Sequence, residues 1–165
     1  MSMAKPSKPV LTSLADLREL LRDFDALMLV TREADGGMHA RPMAFQEPSE
    51  VGDCDLWLVS SAATAKVHEI ERDEQVAICG FRQGDPAYIA ITALARVEHD
   101  PEELRRVFKP EWKTWMPGGP DDPSSVIIKL TVLRAECWGP EGDHHVFYPE
   151  RARAAPEEAA PPPTH

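Results

Sequence analysis

Six or seven short segments of the sequence have the composition and alternation of β-strands, and few helical segments lie between them. A strong hairpin signal, Ala34-Asp35-Gly36-Gly37, joins the first two. The segments cover residues 26–32, 38–46, 55–60, 75–81, 87–97, 125–138 and 144–148. Strands joined by short turns pair as antiparallel neighbours. The sequence therefore predicts a mostly β fold with flanking helices, an antiparallel barrel or sandwich rather than a doubly wound sheet.

Helices are predicted at three places around this β-rich body. Thr12 or Ser13 can cap a helix that runs to about Asp23. A second helix covers residues 64–72, and a third begins at Asp100-Pro101, where Asp is the cap and Pro the first helical residue.

The composition changes at both ends of the 165-residue chain, whose length fits one domain. We expect a flexible arm over residues 1–10 and a single domain over residues 11–149. Residues 150–165 consist mainly of Arg, Ala, Pro and Glu with almost nothing large and apolar to bury, which predicts a disordered tail.

The formal net charge of −10 disfavours nucleic acid or an anionic membrane as a general partner. No apolar run approaches the ~20 residues that span a bilayer, and the N-terminus has no secretory signal. Cys54, Cys79 and Cys137 are far apart in apolar segments, which is typical of buried free thiols in a reducing compartment. We therefore expect a cytoplasmic protein.

Thr64-x-Lys66 lies where a strand ends and a helix begins. Free backbone N–H groups and the helix dipole favour an anion at such a point. A hydroxyl and an ammonium group, assisted by Ser60 and Ser61, would complete a phosphate cradle. The alternative is an ordinary helix cap beside a solvated lysine.

Arg41 shares one face of its strand with His39, Met43 and Phe45, an otherwise substantially apolar surface. A guanidinium group there requires an anionic partner or a route to water. The partner is either a phosphate or an acid such as Asp53 or Asp55. Pro42 cannot donate to a strand ladder, so this strand lies at an edge or is broken there, which frees backbone groups for a ligand.

The segment Trp115-Met116-Pro117-Gly118-Gly119-Pro120-Asp121-Asp122-Pro123 predicts a rigid loop of several turns. Trp112 and Trp115 stand at its entrance, and these side chains or Trp138 could stack on a planar ring. The alternative for all three is a place in the core or in an interface.

No metal site or catalytic residue is predicted. The adjacent His144 and His145 point to opposite faces of a strand, and His39, His68 and His99 are isolated in sequence. The sequence also lacks the glycine patterns of dinucleotide-binding and P-loop folds.

Five motifs, taken in order along the chain, form a fairly specific set. They are residues 35–43, Leu56-Trp57-Leu58, residues 64–70, residues 115–123 and Trp138. From about Leu14 to Gly139 the chain resembles the pyridoxamine 5′-phosphate oxidase-like FMN-binding split barrels, in the class called general stress proteins. The resemblance implies a six-stranded antiparallel split barrel. It also implies a homodimer with two flavin sites in the grooves between subunits.

By the same resemblance, Arg41 and Lys66 would hold the FMN phosphate while Thr64 and Ser61 donate hydrogen bonds to it. Backbone near Pro42 and Leu58 would line the flavin ring. The Trp112–Trp115 region would reach the cofactor of the other subunit. The expected cofactor-binding residues are Arg41, Pro42, Met43, Leu58, Val59, Ser60, Ser61, Thr64, Lys66, Trp112, Trp115 and Trp138.

The expected function is that of an FMN-binding flavoprotein that transfers electrons or hydride between a reduced nicotinamide nucleotide and a small acceptor. FAD, a deazaflavin coenzyme and haem are alternative cofactors. A non-catalytic binding or stress-response module and an apo structural dimer are alternative functions. The substrate-binding Arg and His of true pyridoxamine phosphate oxidases have no clear counterpart, so vitamin B6 oxidation is not expected.

Overall fold

The structure, a computed structural model, describes residues 10–24, 26–46, 50–83 and 87–153. The predicted arm, apart from Val10, and the predicted tail beyond residue 153 lie outside the described residues. The first four residues of that predicted tail form a helical turn whose Arg151 pairs with the buried Asp55. Within the described residues, no helix is both long and apolar enough to cross a membrane.

Each predicted helix and strand is occupied by an element of the predicted type. The predicted caps are present: Ser13 accepts from the amide of Asp16, and Asp100 accepts from the amides of Glu102 and Glu103. The helices are α1 (Leu14–Leu21), α2 (Ala65–Arg72), α3 (Pro101–Val107), the 3₁₀ helix Pro110–Thr114 and α4 (Glu150–Arg153). The strands are β1 (Leu27–Arg32), β2 (Met38–Met43), β3 (Leu56–Ser61), β4 (Gln75–Arg82), β5 (Ala87–Glu98), β6 (Ser125–Trp138) and β7 (His144–Phe147).

All the strand pairs are antiparallel, in the order β2-β1-β4-β5-β6-β3, and β7 adds to the far half of β6. In the described residues no ladder joins β2 to β3, although the amide of Gln46 donates to the carbonyl of Trp57 at 3.1 Å. The barrel is therefore split between these strands, as predicted. Pro42 lies on β2 at the end of the strand order, so the predicted edge position is confirmed.

The main core fills the barrel, where alternate residues of β5 such as Ile89 and Ile91 point inward. β3 is buried on both faces. Leu58 faces this main core, whereas Trp57 packs into a second apolar cluster with α3 and the 3₁₀ helix. β6 is the common support, since its first half pairs with β3 and its last four residues pair with β7.

Candidate functional site

A groove of about 360 Å³ opens where the split separates β2 from β3. Its volume lies within the roughly 300–1,000 Å³ that is usual for small-molecule sites. The groove brings together four elements: the end of β2, the end of β3, the start of α2 and the loop of residues 115–123, here called the Trp115 loop. Its lining residues are Pro42, Met43, Ala44, Val59, Ser60, Ser61, Thr64, Lys66, Trp115 and Met116.

One end of the groove is built to receive an anion. Lys66 Nζ donates to Ser60 Oγ at 3.0 Å, and Ser60 Oγ lies 3.2 Å from Thr64 Oγ1. Thr64 is the N-cap residue of α2, but its hydroxyl donates to the carbonyl of Ser61 at 2.7 Å and makes no capping hydrogen bond. The start of α2 therefore presents backbone N–H groups, a positive dipole end and an ammonium group together.

Lys66 is partly buried, and its ammonium group has no carboxylate within 4.0 Å among the described residues. Burial and, second, the charge of Arg41 lower its pKa, while Glu69 acts in the opposite direction. A desolvated cation beside a second cation is stabilised by an anion. This end of the groove thus has the electrostatics of a phosphate or carboxylate site.

Arg41 has a different environment from that of Lys66. Its Nη2 donates to Glu69 Oε2 at 2.7 Å, and its Nη1 donates to Thr31 Oγ1 at 2.6 Å and to the carbonyl of Leu29 at 3.4 Å. The salt-bridge alternative is therefore present, with Glu69 as the acid rather than Asp53 or Asp55. The direct phosphate contact expected of Arg41 stays a prediction.

Glu69 also accepts one hydrogen bond from the hydroxyl of the buried Thr31, and its carboxylate lies 3.2 Å from His39 Nδ1. Burial alone would raise its pKa, but the hydrogen bonds from Thr31, His39 and Arg41 outweigh it and lower the pKa to about 2. His39 also lies 3.6 Å from Glu33, so it is not isolated as its sequence position suggested. The acceptor atoms of Glu33, His39 and Glu69 fall within 4.8 Å of one another, but Arg41 already occupies Glu69, so we describe them as an ion-pair network.

The other end of the groove is formed by backbone and by apolar side chains. The β1–β2 ladder ends at the Leu27–Met43 pair, and the chain beyond it, from Ala44, leaves the sheet. The interruption at Pro42 was expected to expose such backbone, and here it lines the groove. The Trp115 ring is 51% exposed and stands at the rim, where it can cover a planar ligand.

The Trp115 loop is held by its own hydrogen bonds, as its composition predicted. The amide of Gly119 donates to the carbonyl of Met116 at 3.0 Å, and Gly119 adopts a φ of 69°, which favours glycine. Ser125 Oγ donates to the carbonyl of Gly119 at 2.8 Å. Asp121 accepts from Arg105 of α3 at 2.6 Å, which ties the loop to that helix.

Four of the expected cofactor-binding residues do not line this groove in the described part of the chain. Arg41 is directed to Glu69, and Leu58 is fully buried in the main core. Trp112 is 4% exposed and packs edge-on against Trp57. Trp138 lies at the far end of the sheet, in register with Tyr88 and stacked on His144 at 5.0 Å.

The groove also contains features that the sequence did not indicate. Trp115 was expected to reach the cofactor of the other subunit, yet it lines the groove of its own chain. Met116, which was expected to serve packing, and Ala44 were not among the expected cofactor-binding residues, yet both line the groove. The sequence does contain a signal for the role of Glu69. An acidic residue between Val67 and Ile70, on the inward face of a helix, needs a cation partner when it is buried.

The outward face of the sheet is unusually apolar around β4 and β5. Phe81 and Tyr88 pair across these strands with ring centroids 4.7 Å apart, although they are 46% and 56% exposed.

The cysteines differ from the expectation that all three thiols are buried. Cys79, on β4 near Phe81, is exposed. Cys54 is buried as expected, and burial raises its pKa to about 11.

The family model described as pyridoxamine 5′-phosphate oxidase like matches residues 12–161 of the chain. The chain therefore belongs to the pyridoxamine 5′-phosphate oxidase-like family, as the sequence motifs indicated. It matches no curated protein.

Solved structures share this fold at low sequence identity. A Clostridium acetobutylicum protein related to general stress protein 26 of B. subtilis has a TM-score of 0.67 at 15% identity, covering 84% of this chain and 96% of its own. General stress protein 26 from Bacillus anthracis has a TM-score of 0.60 at 22% identity, covering 78% and 97%. A pyridoxamine 5′-phosphate oxidase-related, FMN-binding protein from Nostoc punctiforme has a TM-score of 0.56 at 12% identity, covering 81% and 91%.

Proposed function

We propose that this chain binds FMN in the groove between β2 and β3. The observation that carries the proposal is the ammonium of Lys66, which has no carboxylate partner among the described residues, at the uncapped start of α2 and at one end of a groove of ligand size. A phosphate would occupy this end, held by Lys66, Ser61 and backbone N–H groups. The flavin ring would lie toward Pro42 and Met43, under Trp115. Family membership and the FMN-binding relative support the same cofactor.

The bound flavin would supply the redox chemistry, and the chain would bind, orient and shield it. Backbone groups near Pro42 and Met43 line the groove and would hydrogen-bond the polar edge of the ring, while Trp115 and Met116 would exclude water from one side. We propose that the holoprotein is an oxidoreductase that accepts hydride from a reduced nicotinamide nucleotide and passes electrons to a small acceptor. No residue of this chain is assigned as a general acid or base.

We further propose that the protein is a homodimer that buries the outward face of the sheet. Met38, Phe81, Tyr88 and Val146 are large apolar side chains on this face, and each is more than 40% exposed. Exposed apolar side chains on one sheet face, such as the adjacent Phe81 and Tyr88, are typical of an interaction surface. A second copy of the same face would cover it symmetrically. Trp138 lies at the β6–β7 end of this face, so a cofactor contact by Trp138 would have to be made to the partner subunit.

The test of cofactor binding is a titration of the purified chain with FMN, riboflavin, FAD, a deazaflavin coenzyme and haem, followed by flavin fluorescence and visible absorbance. We expect FMN to bind more tightly than riboflavin, because only FMN offers a phosphate to Lys66. Absence of FMN binding, or equal affinity for riboflavin, would refute the proposal.

Two further measurements test the proposed activity and assembly. Anaerobic oxidation of NADH or NADPH by the FMN-loaded protein distinguishes an oxidoreductase from a non-catalytic binding module. Light scattering coupled to size exclusion gives the mass in solution, and a monomer at micromolar concentration would contradict the dimer.

A further inference from the structure

Three charged side chains, from Lys66, Arg41 and Glu69, are linked beside the anion end of the groove. Lys66 and Glu69 are three residues apart on α2, so they lie on neighbouring positions of the same helix face. Arg41 on β2 bonds to Glu69 and is close enough to Lys66 to affect its pKa. Moving away from the groove, the ammonium group of Lys66 is therefore next to the guanidinium group of Arg41, which in turn is paired with the buried carboxylate of Glu69.

Glu69 restricts Arg41 on the side away from the groove. Its carboxylate is 7% exposed, and a buried carboxylate is strongly destabilised when it loses its cation partner. Thr31 binds both members of the pair, since its hydroxyl donates to Glu69 and accepts from Arg41. Moving the guanidinium group onto a ligand would break these bonds and leave Glu69 without its cation.

We infer that Glu69 is a specificity-determining residue of the anion site, because it fixes Arg41 in place and cancels its charge. Lys66 then supplies the only net positive charge of this three-residue group. The inference rests on the proposed phosphate site and goes further. It states that Arg41 contributes no net preference for a phosphate, and that Glu69 limits the strength with which the groove holds a dianion.

The test measures the ratio of riboflavin to FMN dissociation constants for three variants. Glu69→Gln removes the negative charge and leaves Arg41 uncompensated, so we expect this ratio to rise on the order of tenfold. The double variant Arg41→Gln with Glu69→Gln replaces a neutral ion pair by a neutral amide pair. Its ratio should stay within about twofold of the wild-type ratio, whereas Lys66→Met should lower it on the order of thirtyfold.

The outcomes separate this inference from the proposed function. If the double variant loses phosphate preference as fully as Lys66→Met, Arg41 is itself a phosphate ligand and the inference is overturned while FMN binding stands. An unchanged or lower ratio in Glu69→Gln also overturns it. If the wild-type protein shows no preference for FMN, the proposed function fails first.

A measurement on the wild-type protein avoids variants that do not fold. A crystal structure of the FMN complex should retain the contact between Arg41 Nη2 and Glu69 Oε2 near 2.7 Å. A guanidinium group that has moved from Glu69 onto the phosphate would overturn the inference directly.

Discussion

Replacing Lys66 by Met tests the phosphate end of the groove with the least disturbance, because Met retains most of the apolar stem. A phosphate about 4 Å from the ammonium group would gain ~4 kcal/mol at an effective dielectric constant of 20 and ~1 kcal/mol in bulk water. Lys66 is partly buried, so an intermediate value applies. We expect a loss of about 2 kcal/mol, or roughly thirtyfold in the FMN dissociation constant.

The assay is quenching of flavin fluorescence at constant ionic strength. Riboflavin has no phosphate, so its affinity for Lys66→Met should stay within about twofold of wild type. Arg72→Met is the matched control, since Arg72 is exposed at the opposite end of α2 and its loss removes the same charge. Equal losses of FMN and riboflavin affinity, or an equal effect of Arg72→Met, would refute the reasoning.

Three further predictions follow from buried or exposed side chains. Tyr88→Asp places a charge on the outward face beside Phe81, so it should raise the dimer dissociation constant at least about thirtyfold in sedimentation equilibrium; an unchanged dimer would locate the interface elsewhere. Leu58→Ala should lower the free energy of unfolding by about 2–5 kcal/mol in urea, as expected of a fully buried core residue; a stable variant that lost only FMN affinity would instead make Leu58 a ligand contact. The pKa of Glu69 falls from 4.5 to about 2 on folding, so its contribution is present above pH ~4.5 and is lost as the pH falls toward 2. Between pH 7 and pH 3, Glu69→Gln should therefore lose less stability than wild type, by on the order of 2 kcal/mol in urea titrations; parallel losses would show that Glu69 titrates normally.

The strands and the anion end of the groove could be predicted because their signals are local. β6 occupies the segment 125–138 as predicted, since a long apolar run has few alternatives to a buried strand. Thr64 and Lys66 are two residues apart at a strand-to-helix junction, so their proximity did not depend on the rest of the fold. Pro42 at an edge strand follows from its missing N–H group alone.

The partner of Arg41 could not be predicted, because it depends on how α2 packs over β1 and β5 and directs Glu69 toward β2. Glu69 is twenty-eight residues away in sequence, and it became the partner only when the helix placed it 2.7 Å from the guanidinium group. Trp112 and Trp115 show the same limit. They are three residues apart and have similar sequence surroundings, yet one is 4% and the other 51% exposed, because the 3₁₀ helix turns the first toward Trp57.

Strand β6 supports both the groove and the outward face, and this double role affects how the molecule unfolds. Its first half supports β3, the wall of the groove, and its last residues pair with β5 and β7 at the rim of the outward face. Near its middle, β6 shifts its register against β5 between Thr92 and Ala93, and the amide of Val132, the residue opposite Ala93, donates to the carboxylate of Asp55 on the other side of the strand. Amide protons along this strand should exchange with deuterium only through global unfolding. Ligand and partner would then slow that exchange together, through one shared structural element.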